Sequence, residues 1–162
     1  YMRYRIERDS LGERQVPAEA YYGIETLRGK ENFEITKRGI CRQLIKALAI
    51  VKKAAAKANI DAGNISGKVG KAIMLACDEI LNGRLHGQFV TDLIQGGAGT
   101  SINMNANEVI ANRANELLGG RKGDYDFVHP NDHVNFGQST SDVIQTAGKI
   151  AVVKQLKKLQ LN

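Results

Sequence analysis

Five asparagines lie within the thirteen positions 103–115, in a stretch whose apolar spacing is otherwise helical. They are Asn103, Asn105, Asn107, Asn112 and Asn115. Asparagine is a poor helix former because its side chain competes for nearby backbone groups. The asparagines cannot all face solvent if one face of the helix is buried, as its apolar positions indicate: Met104, Val109, Ile110 and Leu117. We therefore expect several asparagines to join a buried hydrogen-bond network.

The first third of the chain predicts a short β-prone start followed by helices. Residues 3–16 are polar and β-prone, and Pro17 suits the first position of a helix over residues 18–28. Residues 41–62 place apolar side chains at spacings of three and four, and Gly63 should end this helix. Its lysines fall mainly on other faces: Lys46, Lys52, Lys53 and Lys57.

The remaining segments also predict helices. Ser66 can cap a third helix that ends at Asn82-Gly83, and residues 143–161 predict an amphipathic last helix. Strand signals are nearly absent beyond the start. The fold class predicted is therefore mainly α.

Composition and charge limit the class of protein. Hydrophobic residues make up 43% of the 162 residues, which is enough for the core of one domain. No stretch approaches the roughly 18 apolar residues of a membrane span, and the start lacks the apolar region of a signal peptide. We take Met2 as the first natural residue and expect a cytoplasmic protein without a membrane partner.

The net charge of +6 leaves the partner open. Basic charge suits nucleic acids as well as small anions. The lysines are scattered, however, and no aromatic residues alternate with them as a base-stacking surface would require. We expect no nucleic-acid partner, and either an anionic small molecule or a solvated basic face fits the charge.

Neither the cysteines nor the histidines indicate a metal site. Cys41 and Cys77 are far apart and outside any C-x-x-C pattern, which is typical of reduced thiols. His129 and His133 have a spacing that could bind a metal on a helix, but Pro130 argues against a continuous helix and no third ligand is evident. We expect no metal and no cofactor.

A glycine-rich turn precedes the asparagine-rich helix. Gly96-Gly97-Ala98-Gly99 can adopt positive φ and approach a ligand closely, and Thr100-Ser101 stand at the helix start. Unpaired N–H groups and the helix dipole make this an anion site. The stretch contains neither the G-x-x-x-x-G-K-[ST] motif of a phosphate loop nor a lysine at the required place, which argues against nucleotide binding. A glycine hinge with an ordinary cap is the alternative.

Three stretches resemble one family. They are L-G-E-x-x-V-P-x-x-A-Y-Y-G-I-x-T-L-R-x-x-E-N-F at residues 11–33, G-T-S-x-N-M-N-x-N-E-V-I-A-N-R-A at residues 99–114, and H-P-N-D-H-V-N-x-x-Q-S-T-x-D at residues 129–142. Together they resemble the fumarase/aspartase superfamily, and the first stretch is more similar to aspartate ammonia-lyases than to fumarases.

The resemblance implies an activity and an assembly. It implies an amino-terminal lyase domain over residues 2–142 and the start of a central helical bundle over residues 143–162. The complete protein would be a homotetramer that reversibly eliminates ammonia from L-aspartate to give fumarate. The family's catalytic serine lies in a G-S-S-x-M-P-x-K-x-N loop that this sequence does not contain, so we expect no catalytic residue in this chain and no activity from it alone.

The resemblance also assigns site residues. Thr100, Ser139 and Thr140 would bind the carboxylate that becomes the aci form, and Ser141 would meet the leaving group. The family usually has asparagine in place of Ser141, so malate remains an alternative substrate, as for a class II fumarate hydratase.

A candidate second anion site consists of His129, Asn131 and Asp132. It would be weakened because Asp126 replaces the usual arginine. Two functions other than catalysis remain as alternatives. The first is a non-catalytic helical oligomerisation module, and the less favoured one is a nucleic-acid binder.

Overall fold

The chain begins with an antiparallel hairpin of strands β1 (Tyr4–Asp9) and β2 (Gly12–Pro17), in which Tyr4 pairs with Pro17. Gly12 adopts a φ of +113° at the turn. This computed structural model describes residues 1–161. The β-prone start predicted over residues 3–16 is therefore confirmed.

Five α-helices follow the hairpin. They are α1 (Ile24–Asn32), α2 (Arg42–Asp61), α3 (Gly67–Leu81), α4 (Thr100–Leu117) and α5 (Thr140–Gln160). A 3₁₀ turn (His86–Gln88) precedes α4, and a π-helical turn (Pro130–Val134) precedes α5. The mainly α prediction is confirmed, and α2 and α3 lie where the sequence placed them. Ser66 caps α3 by accepting from the backbone N–H of Val69 at 3.2 Å.

The helix predicted at residues 18–28 is wrong in its first part. Pro17 is the last residue of β2, and α1 begins at Ile24. The Arg5 guanidinium explains the difference because it donates to four backbone oxygens of the segment, those of Pro17, Ala18, Ala20 and Tyr22, at 2.7–3.1 Å. These carbonyls accept from a side chain instead of from a helical N–H.

Two buried carboxylates cap the start of α1. Glu7 accepts from the Ile24 N–H at 3.2 Å, and Glu108 accepts from the Thr26 N–H at 2.7 Å. Both side chains satisfy N–H groups that have no partner within a helix. Burial raises the pKa of the Glu108 carboxyl to about 7, while its hydrogen bonds with Thr26 oppose that rise. The hairpin, α1 and α4 are thereby joined at one point.

The core lies between α2, α3, α4 and α5. Helix α2 packs against both α3 and α5, and α3 packs against α4. The interior of α4 contributes Val109 and Ile110, which are fully buried beside Ile73 of α3. Leu117 was predicted to face the core but is 38% exposed, because it lies in the last turn of α4 where the chain leaves the core.

All five asparagines of α4 are buried, as the sequence predicted for some of them. Asn105 donates to the Gln88 carbonyl at 3.0 Å, and Asn115 donates to the Val128 carbonyl at 2.7 Å. Asn112 donates to the Tyr21 carbonyl at 2.6 Å. The amides therefore fasten three separate loops to one helix.

Helix α5 is buried only in its first half. Val143 and Ala147 are in the core, whereas Val152, Val153, Leu156 and Leu159 are 50–71% exposed. A domain boundary between residues 142 and 143 stays a prediction, and both positions lie within α5. Across residues 1–161, none of the helices is both long and apolar enough to cross a membrane.

Replacing Gly23 with alanine should destabilise the fold, since an added Cβ would lie within 3 Å of Glu108 Oε2, the Tyr125 hydroxyl and Glu7 Oε1. We expect Gly23→Ala to lower the free energy of unfolding by at least about 2 kcal/mol in urea titrations. Gly148→Ala is the matched control, because Gly148 lies in the interior of α5 and a Cβ added there would have no atom within 4 Å. The control should be neutral or gain up to about 1 kcal/mol. Equal effects of the two changes would contradict this account of the α1 cap.

Candidate functional site

The first turns of α4 and α5 lie side by side. Gly99 adopts a φ of +90° immediately before α4, and a Cβ placed on it would lie 3.2 Å from the side chain of Ile144 in α5. Asn103 Nδ2, one turn into α4, lies 3.5 Å from Thr140 Oγ1. The glycine-rich turn and the polar start of α5, which are far apart in sequence, therefore face a common region.

Four hydroxyls named from the sequence lie at these two helix starts. Thr100, Ser139 and Ser141 are exposed and Thr140 is half-buried. Among the described residues, Thr100 and Ser141 make no side-chain hydrogen bond to the protein, so both hydroxyls can meet a ligand. Two helix N-termini and two free hydroxyls form a suitable environment for a carboxylate.

Ser139 also has a structural task. Its Oγ accepts from the Asp142 N–H at 3.1 Å, and the Asp142 carboxylate accepts from the Ser139 N–H at 3.2 Å, which completes a capping box. The Ser139 side-chain hydrogen bond holds the pKa of Asp142 below its usual value. Ser139 therefore holds the first turn of α5 through both its backbone N–H and its side chain.

A buried amine lies behind the start of α5. Lys52 Nζ donates to Asn135 Oδ1 and to Gln138 Oε1, both at 3.0 Å. Asn135 Oδ1 also accepts from Asn103 Nδ2 at 3.2 Å. The amine therefore connects the middle of α2 to the turn before α5 and to the first part of α4.

The position of Lys52 differs from the sequence prediction, which placed this lysine with others away from the core. Its side chain is fully buried because it continues the buried stripe formed by Leu48, Ala49 and Ala56. Burial lowers the pKa of the amine to about 7. The sequence signal was present: a lysine occupies a position of the apolar stripe, four residues after Leu48 and four before Ala56.

The His129 turn forms its own structure. Pro130 occupies the first position of the π-helical turn, and His129 is the extended residue that caps it, so a short turn begins at Pro130 but no continuous helix carries both histidines. His129 Nδ1 accepts from the N–H groups of Asn131 and Asp132 at 3.1 and 3.2 Å, and His133 Nδ1 accepts from the His129 N–H at 2.8 Å. Both rings therefore use Nδ1 to stabilise the turn. No cluster of three metal-ligating side chains occurs within residues 1–161.

A cleft of about 550 Å³ is lined by Thr100 together with residues of the His129 turn, whereas Ser139, Thr140 and Ser141 do not line it. Its walls come from the β1–β2 turn, the outer face of α1, the start of α4 and residues 129–131. Of the predicted second anion site, His129 and Asn131 line this cleft. Thr100 is thus the one predicted residue that lies between the two regions.

Charge in this cleft does not favour an anion. The Arg28 guanidinium forms an ion pair with the Asp9 carboxylate, with Nε 2.6 Å from Oδ2, so its charge is already balanced. Glu25 and Glu108 add two further carboxylates to the walls of the cleft. Burial raises the pKa of Glu25, although a hydrogen bond from Asn131 opposes that rise. The sequence interpretation overlooked these acidic groups because β1, α1 and α4 supply them from distant positions.

Comparisons with known proteins agree on one family. The family model described as lyase matches residues 12–161. The chain is 58% identical to an aspartate ammonia-lyase of Bacillus subtilis over 96% of its length and 33% of that protein. It is 55% identical to a class II fumarate hydratase of Halobacterium salinarum, covering 94% of the chain and 32% of that protein.

Solved structures agree with the sequence relatives. A crystal structure of a fumarate lyase:delta crystallin from Brucella melitensis bound to cobalt matches with a TM-score of 0.96 and 52% identity, covering 98% of the chain and 35% of that protein. The chain spans about a third of the length of the curated relatives it matches.

The capping role of Ser139 can be measured apart from any binding role. We expect Ser139→Ala to lower the free energy of unfolding by about 1 kcal/mol, because the Asp142 N–H loses its acceptor. Ser139→Asn should remain close to the unchanged chain, since asparagine caps a helix as well as serine. Thermal unfolding followed by circular dichroism distinguishes the three proteins, and equal losses in both variants would argue against the capping box.

Proposed function

Because the chain belongs to the lyase family that contains fumarases and aspartases, we propose that it is the amino-terminal part of an aspartate ammonia-lyase. This enzyme reversibly eliminates ammonia from L-aspartate to give fumarate. The observation that carries the proposal is the 58% identity with the Bacillus subtilis aspartate ammonia-lyase over 96% of the chain. The adjacent polar starts of α4 and α5 support it with suitable chemistry.

The reaction needs groups that stabilise growing negative charge. A proton leaves the carbon beside one carboxylate, and that carboxylate becomes a doubly charged aci form. Donors that bind this form better than the substrate lower the barrier. We assign this task to the hydroxyls of Thr100, Ser139 and Thr140, together with the N–H groups at the two helix starts.

Ser141 is assigned to the leaving group. The exposed hydroxyl lies in the first turn of α5, beside the proposed carboxylate site. A serine side chain is about one bond shorter than asparagine and can reach an ammonium through water. This difference keeps malate as the alternative substrate, and the 55% identity with a class II fumarate hydratase favours the same second candidate.

The catalytic base is assigned outside this chain. Threonine and serine hydroxyls of ordinary basicity cannot remove a proton from carbon without activation, and these hydroxyls have no histidine partner among their contacts in residues 1–161. The base would come from the G-S-S-x-M-P-x-K-x-N loop of the complete protein. We therefore expect the 162-residue chain alone to be inactive.

The complete protein is proposed to be a cytoplasmic homotetramer without nucleic-acid or membrane partners, in which α5 contributes to a central helical bundle. The exposed apolar side chains of Val152, Val153, Leu156 and Leu159 support this proposal, because such a row is suited to packing against further helices. The alternative without catalysis is a helical oligomerisation module, which would use the same apolar face.

Substrate assays of the complete protein test the function. Aspartate should yield fumarate, seen as absorbance that increases with enzyme concentration, and malate should not. Conversion of malate alone would favour fumarate hydratase, and no conversion of either would favour the non-catalytic module. Thr140→Val should lower kcat/KM for aspartate by about 100-fold or more, because one donor to the aci-carboxylate is lost. Thr146→Val, an exposed change on the same helix, is the matched control and should leave kcat/KM unchanged.

A further inference from the structure

A lysine amine without a carboxylate partner lies inside the protein. Within residues 1–161, the Lys52 ammonium forms no ion pair, and its partners are two neutral amide oxygens at 3.0 Å. Burying a charge is costly unless it is paired. A chain that keeps this amine in its core accepts an unfavourable charged state, and an apolar residue of similar length would avoid that cost.

Both hydrogen bonds of Lys52 go to the turn that leads into α5. Asn135, which accepts from the amine, donates through Nδ2 to the Gln138 carbonyl at 3.0 Å. That carbonyl belongs to the peptide bond between Gln138 and Ser139. Lys52 therefore constrains the peptide plane from which the Ser139 N–H and the capping box begin.

The same hydrogen-bond network also reaches the Thr140 hydroxyl. Asn103 Nδ2 lies 3.2 Å from Asn135 Oδ1 and 3.5 Å from Thr140 Oγ1. Because Thr140 Oγ1 faces a donor, its own proton is directed elsewhere and is available to a ligand. The amide oxygen of Asn103 is buried without a partner in the described part of the chain, so this network retains an unsatisfied acceptor beside the site.

We propose that Lys52 is a positioning residue: its amine, acting through Asn135, holds the start of α5 in the arrangement that binds a carboxylate. This inference rests on the proposed lyase function. Lys52 touches no substrate and acts through the residues it holds. A bound dicarboxylate supplies the negative charge that the amine otherwise lacks, so Lys52 takes up a proton from solvent when the ligand binds.

The groups around the Lys52 amine support the proposed proton uptake on ligand binding. Helix α3 presents Cys77, whose pKa burial raises to about 12, so the thiol is neutral near pH 7. On α2 itself, Lys53 is paired with Asp78 at 2.6 Å. On α5, Asp142 is engaged in the capping box, and α4 contributes the neutral amide of Asn103.

The turn before α5 carries one carboxylate and one imidazole. The Asp132 carboxylate is 78% exposed to solvent. Burial lowers the pKa of His133, and Nδ1 of that ring accepts from the His129 N–H. With the pKa of Lys52 at about 7, most of the amine is neutral at pH 8 in the free protein. A dianion bound nearby raises that pKa.

Kinetics of Lys52→Met in the complete subunit provide the first test. We expect the inhibition constant for succinate, a dicarboxylate that cannot react, to increase at least about tenfold, with kcat/KM for aspartate falling by a similar factor. Thermal stability should be retained or increased, because methionine fills the stripe without a charge. Lys57→Met removes the same charge from an exposed position of α2 and should change neither constant. Unchanged succinate binding in a folded Lys52→Met protein would overturn the proposal.

Calorimetry provides the second test and does not depend on the folding of Lys52→Met. Succinate binding at pH 8, measured in buffers of different ionisation enthalpy, should show uptake of a fraction of a proton by the unchanged protein. Asn135→Asp places a carboxylate beside the amine and keeps it charged, so this uptake should fall towards zero. The Lys57→Met control should retain it. Absence of proton uptake in the unchanged protein, or the same uptake in Asn135→Asp, would contradict the linkage.

The two levels of interpretation can fail separately. If the unchanged subunit neither binds succinate nor converts aspartate, the proposed function is wrong. If it does both while the Lys52 and Asn135 variants match it in binding and proton uptake, only the role of Lys52 is wrong.

Discussion

The hydrogen-bonding requirement of α4 determines how the rest of the chain is arranged. A buried amide without a partner is costly. Three of the five buried asparagines of this helix are hydrogen-bonded through both oxygen and nitrogen, whereas the amide oxygens of Asn103 and Asn107 have no partner within residues 1–161. Asn105 bonds to the backbone of residues 88 and 90, and Asn112 bonds to the backbone of residues 21 and 123. Asn115 bonds to the backbone of residues 127 and 128. These loops are therefore held in place by side chains of one central helix.

The sequence predicted the parts whose signals are local. The spacing in α2, the Ser66 cap of α3 and the burial of asparagines in α4 each depend on short-range patterns. The prediction for α1 was wrong because Arg5, in another element, binds the carbonyls of residues 17–22. Likewise, Lys52 was misplaced because solvent exposure was assigned by residue type, although its position continues the apolar stripe.

For the candidate site, the sequence motifs named exposed hydroxyls, while the structure adds what lies behind them. The roles of Thr100, Ser139, Thr140 and Ser141 came from a family resemblance, since no spacing rule connects positions forty residues apart. The support from Lys52 and Asn135 could not be predicted, because it depends on α2 meeting the turn before α5. The negative charge in the neighbouring cleft could not be predicted from the motifs either, because β1, α1 and α4 each contribute part of it.

The proposed function requires that the starts of α4 and α5 form one carboxylate site. A crystal structure of the complete protein with bound succinate tests it most directly. We expect one carboxylate within about 3 Å of the Thr100 and Thr140 hydroxyls, with Asn135 and Lys52 still hydrogen-bonded behind them. Succinate found in the cleft beside Glu25 and Arg28, with no contact to the first turn of α5, would show that the two helix starts do not form the carboxylate site.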